Sequence, residues 1–375
     1  MANYKIVSGD SHVTDPADLW TEGLPKEFRA RAPRIVKDPP GETGDMWICE
    51  DLPHVTASMA FFAGASRDSY DEFESHIKEV SYRDGRPGGY DPAARLEDMK
   101  VDGTEAEVMY PSYALTLYRL TDAPFQRACF GVYNDWLAQF CSYDPRHLVG
   151  LGLVSIYDVE EAVAEVKRCA SMGLKGVVIN SWPVEGHTYE NPMYDPLWAA
   201  AQDLCMPISL HAFTGFGPED SIGQQRISQT CLHHAGQRTL AHLIFWGVLD
   251  RFPKLRFVLA EMDIGWIPHY FWLADDKYRM RQDSSVEVPD MKPSDYFERN
   301  IFACFMDDPI GVKNTDLIGK DNYIWANDYP HWEGTWPRSH EYIERNFRGV
   351  SQVIRRKITR DNVMRLYDMD LDCEG

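Results

Sequence analysis

Residues 149–180, VGLGLVSIYDVEEAVAEVKRCASMGLKGVVIN, contain two apolar runs separated by an amphipathic segment. The runs Val149–Ser155 and Gly176–Asn180 have the length of buried strands, and Val159–Met172 between them has the pattern of a helix. A strand, a helix and a second strand in this order form the repeating unit of a parallel sheet. This stretch therefore predicts an α/β fold.

The same alternation extends over most of the 375 residues. A further amphipathic segment, Phe125–Tyr143, also predicts a helix. With the two runs above there are eight candidate strands, and eight such units favour a closed (β/α)8 barrel, or TIM barrel. We expect one domain over residues 1–375. The other six candidate strands are Lys5–Ser8, Glu105–Tyr110, Pro207–His211, Leu255–Glu261, Ile301–Cys304 and Tyr323–Ala326.

Residues 19–89 do not follow this alternation. They include the loop-like stretch KDPPGETGDMW (37–47) and most of RDGRPGGYDP (83–92), which are rich in proline, glycine and aspartate. We interpret residues 19–89 as a long insertion after the first strand. An insertion at the C-terminal end of a barrel strand would form a lid over the barrel mouth or part of an interface.

The composition narrows the possible partners. With 58 acidic and 38 basic residues the formal net charge is −20, and this field would repel nucleic acid and anionic membrane surfaces. The eight cysteines form no C-x-x-C pair, which is typical of reduced thiols in a cytoplasmic protein. The N-terminal sequence lacks a leader pattern, and no uncharged stretch approaches 18 residues. We expect no membrane partner.

Metal-capable side chains fall at or just beyond predicted strand ends, the catalytic face of a barrel. Taken singly, each has an ordinary alternative, because an aspartate can cap a turn and a histidine can be a core residue. Their joint placement predicts a site for Zn²⁺, Mn²⁺ or Fe²⁺, with one ion expected and two possible. These residues are Asp10, His12, His211, Glu261 and Asp328.

Other side chains are weaker candidates. His234, beside His233 at a helix start, would bind a second metal or move a proton, and a surface role is equally compatible. His269 follows the sixth strand and would donate a proton to a leaving group. A largely apolar or ring-containing small molecule is the expected substrate, unless the aromatic residues serve only the core. The predicted substrate contacts are Trp182, Phe213, Trp266 and His331.

Several motifs resemble the amidohydrolase-related branch that includes aminocarboxymuconate-semialdehyde decarboxylase and the γ-resorcylate and 5-carboxyvanillate decarboxylases. The resemblance implies a (β/α)8 barrel and assigns metal binding to Asp10, His12, His211 and Asp328. At the sixth strand these decarboxylases have a catalytic histidine, whereas this chain has Glu261. The motifs are SGDSHVTDP (8–16), YDPAARLEDMKVDGTEAEVMYPS (90–112), YNDWLAQFC (133–141), GVLDRFPKLRFVLAEMDIGWIP (247–268) and NDYPHWEGTWP (327–337).

The first functional prediction is a metal-dependent hydrolase, in which a bound cation lowers the pKa of a water molecule and Asp328 accepts its proton. Glu261 would be a general base or a further metal ligand. There is no G-x-G-x-x-G, Walker A, G-x-S-x-G or H-E-x-x-H sequence, so those nucleotide-binding and hydrolase classes are excluded.

Three alternatives remain. A non-oxidative decarboxylase of an aromatic or unsaturated acid would use Asp328 as the proton donor, with Arg67, Arg226 or Arg238 available for the substrate carboxylate. A dinuclear non-haem iron monooxygenase would use the three carboxylates and the histidines. The third is an inactive scaffold barrel, which the intact set of metal-capable residues disfavours. A homodimer is expected from the aromatic-rich C-terminal half and the habit of the family.

Overall fold

The computed structural model describes residues 4–60, 63–64, 81–183, 186–215, 225–280 and 289–371. Eight parallel strands form one sheet in the order in which they occur along the chain, which confirms the predicted barrel. All residues of the last six of these strands are buried. The strands are β1 Ile6–Val13, β5 Thr104–Pro111, β6 Leu148–Leu153, β7 Gly176–Ile179, β8 Ile208–His211, β9 Phe257–Ala260, β10 Ile301–Phe305 and β11 Tyr323–Trp325.

Helices follow most barrel strands, and aspartate side chains begin several of them. Asp158, for example, accepts from the backbone N–H of Glu161 at the start of the helix Val159–Ser171. The α-helices are α1 Leu19–Gly23, α2 Pro92–Asp102, α3 Ala123–Cys141, α4 Val159–Ser171, α5 Asp195–Asp203, α6 Gln225–Thr230, α7 His233–Phe245, α8 Val248–Arg251, α9 Ile267–Arg279, α10 Pro293–Asn300, α11 Pro309–Lys313, α12 Ser339–Asn346, α13 Gln352–Arg356 and α14 Asn362–Tyr367.

Shorter helical turns complete the fold. A π-helical turn, Lys357–Asp361, connects the last two α-helices. The 3₁₀ turns are Arg29–Arg31, Ala57–Ala60, Tyr82–Asp84, Pro87–Gly89, Tyr113–Arg119 and Pro192–Tyr194.

The first and last barrel strands meet at a seam. The backbone N–H of Asp328 donates to Asp10 O over 3.1 Å, and that of His12 donates to Tyr329 O over 2.5 Å. Gly9 makes this approach possible, because a Cβ there would lie 2.0 Å from Cγ2 of Ile324 on β11. Glycine is therefore required for packing at this position.

The predicted insertion contains structure of its own. Three antiparallel strands, β2 Arg34–Lys37, β3 Asp45–Ile48 and β4 Val55–Thr56, form a small sheet within residues 19–89. Its later part contacts the C-terminal end of the barrel, where Thr14 donates its backbone N–H to Gly89 O over 2.7 Å. The role as a lid stays a prediction.

Candidate metal centre

Two imidazoles and three carboxylates meet at the C-terminal end of the barrel. His12 Nε2 lies 3.5 Å from Asp10 Oδ1, 3.4 Å from Glu261 Oε1 and 3.2 Å from Asp328 Oδ1. His211 Nε2 lies 3.8 Å from Asp10 Oδ2. Two donors that each bind one cation at about 2.1 Å can be at most about 4.2 Å apart. All four distances meet that limit.

The donor atoms form two overlapping groups. One contains Asp10, His12 and His211, and the other contains His12, Glu261, Asp328 and His331. Within each group one donor atom per residue lies within 4.8 Å of the others. His331 was predicted only as a substrate contact, yet its Nδ1 lies 3.1 Å from Asp328 Oδ1. The two groups together offer three carboxylates and three imidazoles.

The donor set fits a divalent cation because its inward-facing atoms have no hydrogen-bond partner. They are buried, and buried polar atoms are normally paired. His12 Nδ1 donates to Pro111 O and His211 Nδ1 donates to Ala212 O, which leaves each Nε2 lone pair facing the centre. Imidazole and carboxylate together suit Zn²⁺, Mn²⁺ or Fe²⁺. The unpaired atoms are both Asp10 Oδ atoms, His12 Nε2, His211 Nε2 and Asp328 Oδ1.

The pKa values of these groups reflect burial and close charges. Burial raises the pKa of Asp10 well above its ordinary range and lowers the pKa of His211 to about 4. Burial would also lower the pKa of His12, but the close carboxylates of Asp328 and Glu261 raise it. Burial opposes ionisation of Asp328, yet His331 and His12 hold its pKa well below the usual range. Without a cation the carboxylates depend on nearby imidazoles for compensation.

Three residues just beyond the C-terminal ends of barrel strands have left-handed backbone conformations. Glu261 follows β9 with φ 54°, Asp328 lies beyond β11 with φ 56°, and Phe213 lies beyond β8 with φ 65°. Non-glycine residues in this left-handed region cost of order 1–3 kcal/mol each. Such conformations concentrate at functional sites, and here they redirect the chain at the barrel rim.

A cavity of about 230 Å³ lies beside the donors and includes Asp10, Glu261 and Asp328 in its wall. This volume suits a small molecule. Among the described residues the lining contains no lysine or arginine. Its apolar part is Phe213, Leu232, Cys304, Phe305, Met306 and Ala326, and its other members are Gln229, Asp263, Asp307 and Glu333.

Of the four predicted substrate contacts, two lie at the cavity or beside the candidate metal centre and two lie elsewhere. Phe213 lines the cavity, and the His331 ring stacks on His12 at 4.0 Å between centroids. Trp182 instead packs against His242 and under the Arg238 guanidinium. Trp266 donates its indole N–H to Met262 O and is not among the residues lining the cavity.

The other predicted catalytic groups receive no support from their positions. In the described part of the chain neither donor group includes His234, which contacts His233. His269 is exposed on α9 and stacks on Trp272. Arg67 and the side chain of Arg226 lie outside the described residues.

Some residues around the centre were missed in the sequence. Ser112 Oγ lies 3.1 Å from His331 Nε2, on the side of the ring away from Asp328. Asn327, just before Asp328, and Glu107, on β5, are both buried and hydrogen-bonded to each other. Glu107 could have been recognised in the sequence, because it is an acidic residue within the predicted strand EAEVMY (105–110). A buried carboxylate needs a partner.

The chain is similar in sequence to one protein family and to two decarboxylases. A family model described as Amidohydrolase matches residues 26–369. The chain is 24% identical over 256 residues to 2-amino-3-carboxymuconate-6-semialdehyde decarboxylase of Dictyostelium discoideum, covering 64% of this chain and 67% of the relative. It is 28% identical over 264 residues to gamma-resorcylate decarboxylase of Rhodococcus jostii (strain RHA1), covering 63% and 75%.

Solved structures share the fold. An amidohydrolase from Mycobacterium avium subsp. paratuberculosis K-10 has TM-score 0.79 and 22% identity, with 98% of this chain and 100% of that chain covered. A dihydroxybenzoic acid decarboxylase from Polaromonas sp. JS666, with bound manganese, has TM-score 0.66 and 16% identity, with 98% of each chain covered. In the described residues, no helix is long and apolar enough to span a membrane.

Proposed function

The chain belongs to the amidohydrolase family and is an enzyme, and we propose that it is a metal-dependent decarboxylase of a small aromatic or unsaturated acid. The observation that carries the proposal is the convergence of unpaired, buried donor atoms from Asp10, His12, His211 and Asp328 beside a small cavity. Both curated relatives described above are decarboxylases. Manganese is the first cation to test, since a solved decarboxylase of this fold contains it.

A divalent cation held by Asp10, His12, His211 and Asp328 would bind the substrate carboxylate and supply the positive charge that the described cavity lining lacks. Phe213 and Phe305 would contact an aromatic or unsaturated group beside it. The substrate would thereby be held with its carboxyl group beside these donors. Most of its remaining surface would contact apolar side chains.

Decarboxylation breaks one C–C bond and leaves an electron pair on carbon, which must receive a proton. Asp328 lines the cavity, and its Oδ1 lies 3.1 Å from His331 Nδ1. We propose that His331 supplies the proton through Asp328. Ser112, 3.1 Å from His331 Nε2, would orient the ring.

The test is carbon dioxide release by protein that has been stripped of metal and then reloaded with Mn²⁺. Hydroxybenzoates and short unsaturated acids form the substrate panel. Release that needs Mn²⁺ and is lost in His331→Ala is the expected result. Cleavage of esters or amides with no carbon dioxide from any acid would instead favour the hydrolase, for which Glu261 is available in the cavity wall as a proton acceptor.

A second candidate, the dinuclear non-haem iron monooxygenase, is favoured by one observation. Asp10, Glu261 and Asp328 offer three carboxyl groups, and His331 adds a third imidazole, which is more donors than one cation needs. Metal should therefore be counted per chain in wild type and Glu261→Gln. One Mn²⁺ in both proteins supports a mononuclear decarboxylase or hydrolase, whereas two Fe in wild type that fall on substitution support the monooxygenase.

A further inference from the structure

A buried ion pair is hydrogen-bonded to residues at the candidate metal centre and contributes no donor to it. Arg95 of α2 and Glu107 of β5 are 0% and 1% exposed, and Arg95 Nε donates to Glu107 Oε2 over 2.5 Å. Removing two charges from water is expensive, so such a pair is weak evidence for stability. Its contacts with the chain around it indicate a different role.

Asn327 connects this pair to the seam. Its Nδ2 donates to Glu107 Oε1 over 2.7 Å. Its Oδ1 accepts from Ser11 Oγ over 2.7 Å and Ser8 Oγ over 3.0 Å, both on β1. Ser8 Oγ is also within 2.9 Å of Asp10 O. Asn327 thus holds the chain before Asp328 against the strand that carries Asp10.

Arg95 contacts His12, the other proposed ligand on the strand that carries Asp10. Its Nη1 donates to His12 O over 2.9 Å and to Gly88 O, in the insertion, over 3.1 Å. The guanidinium also lies over the ring of Tyr329 at 4.2 Å. The network therefore touches the backbone at or beside Asp10, His12 and Asp328.

We propose that Arg95, Glu107 and Asn327 are positioning residues that set the spacing of the metal ligands across the barrel seam. This inference rests on the proposed metal centre and not on which reaction it supports. The three residues hold the backbone from which the ligands project, so that the donor atoms stay within reach of one cation. Groups behind first ligands typically change metal affinity by about 10- to 100-fold.

The same strand offers a matched control. Glu105 lies two residues before Glu107 and pairs with Arg360, whose side chain is 6% exposed, at the opposite end of the barrel. Glu105→Gln and Glu107→Gln each remove one charge from a largely buried pair on β5. Only Glu107 is hydrogen-bonded to Asn327.

The experiment measures Mn²⁺ dissociation constants by competition with a chelator, together with thermal unfolding of the metal-free proteins. We expect Glu107→Gln and Asn327→Ala to bind Mn²⁺ about 10- to 100-fold more weakly, and Glu105→Gln to bind it as wild type does. Comparable weakening in Glu105→Gln would mean that general stability is responsible and would overturn the proposal. Unchanged affinity in both seam variants would overturn it as well.

Two further outcomes are distinguishable. If Glu107→Gln and Asn327→Ala do not fold, Ser11→Ala tests the network instead, because it removes one hydrogen bond to Asn327. We expect Ser11→Ala to bind Mn²⁺ about tenfold more weakly than wild type. Wild-type affinity in Ser11→Ala would then reject the network. Wild-type protein that binds no divalent cation would reject the metal centre itself, and the network with it.

Discussion

The backbone N–H of Asp328 donates to the carbonyl oxygen of Asp10 over 3.1 Å, at the place where the last barrel strand meets the first. Both residues also direct carboxylates to the candidate metal centre, where His12 Nε2 lies 3.5 Å from one and 3.2 Å from the other. A cation bound there would connect the two sides of the seam. Its removal should therefore affect the fold as well as the chemistry.

Chelation is expected to lower the midpoint of thermal unfolding, and Mn²⁺ is expected to restore it. A ligand that binds only the folded chain stabilises it by about 2.7 kcal/mol at 100 times its dissociation constant. Thermal unfolding with and without chelator measures the change. An unfolding midpoint that changes with neither chelator nor Mn²⁺ would argue against a cation at the seam.

His211→Ala should abolish the response to Mn²⁺ and reduce carbon dioxide release by at least about 100-fold, because a direct ligand should cost more than the outer groups do. The Nε2 atom of His211 is buried, unpaired and directed to the centre. His242→Ala is the control, since His242 pairs with Glu190 away from the donor groups. Equal losses in both variants would contradict the assignment of His211.

Gly9→Ala should destabilise the protein by about 1–3 kcal/mol through overpacking. The new Cβ would lie 2.0 Å from Ile324 Cγ2, which must move for the seam to close. Gly131→Ala is the matched change, because its Cβ on α3 would meet only Arg168 Nη2 at 3.9 Å, and alanine favours a helix. Chemical unfolding measures both, and a Gly9→Ala chain as stable as wild type would show that β1 and β11 do not pack this closely.

Asp15→Asn should stabilise the protein at alkaline pH. Asp15 is buried, accepts from the backbone N–H of Ala114 over 3.1 Å and has no partner for its Oδ1. Burial raises its pKa from 3.8 to about 7. Its contribution to stability is complete below about pH 4 and is lost as the pH rises through 7, by up to about 4 kcal/mol.

The measurement is chemical unfolding of wild type and Asp15→Asn between pH 4 and pH 8. The advantage of the variant should grow over this interval and level off above pH 7. Asp18→Asn, at an exposed position nearby, controls for the loss of one charge. A difference that is constant with pH would show that Asp15 titrates normally.

The barrel was predictable because its strands are short apolar runs, and all eight candidates match observed strands. β1 was predicted to end at Ser8 but continues to Val13. The polar residues in GDSH resemble a loop in sequence, whereas Asp10 and His12 belong to the candidate metal centre and Ser11 is hydrogen-bonded to Asn327. The small sheet β2 to β4 was missed because its strands are short and partly exposed.

The candidate site was predictable from one rule, that the C-terminal ends of parallel barrel strands lie at one rim. This rule brought together Asp10, His12, His211, Glu261 and Asp328. Their roles as ligands stay predictions, as do the homodimer and the cytoplasmic location. The rule fails for residues on helices, because nearness to a strand end in sequence does not fix the direction of a side chain. His269 illustrates this, since α9 presents it to solvent.

The seam also orders events during synthesis of the chain. Asp10 and His12 leave the ribosome early, whereas Asp328 follows only after β11 at residues 323–325. A nascent chain therefore has half of a binding site for most of its translation, and the buried carboxylates acquire their full set of neighbours last. Binding of a cation by all four proposed ligands would therefore have to wait for the final strand.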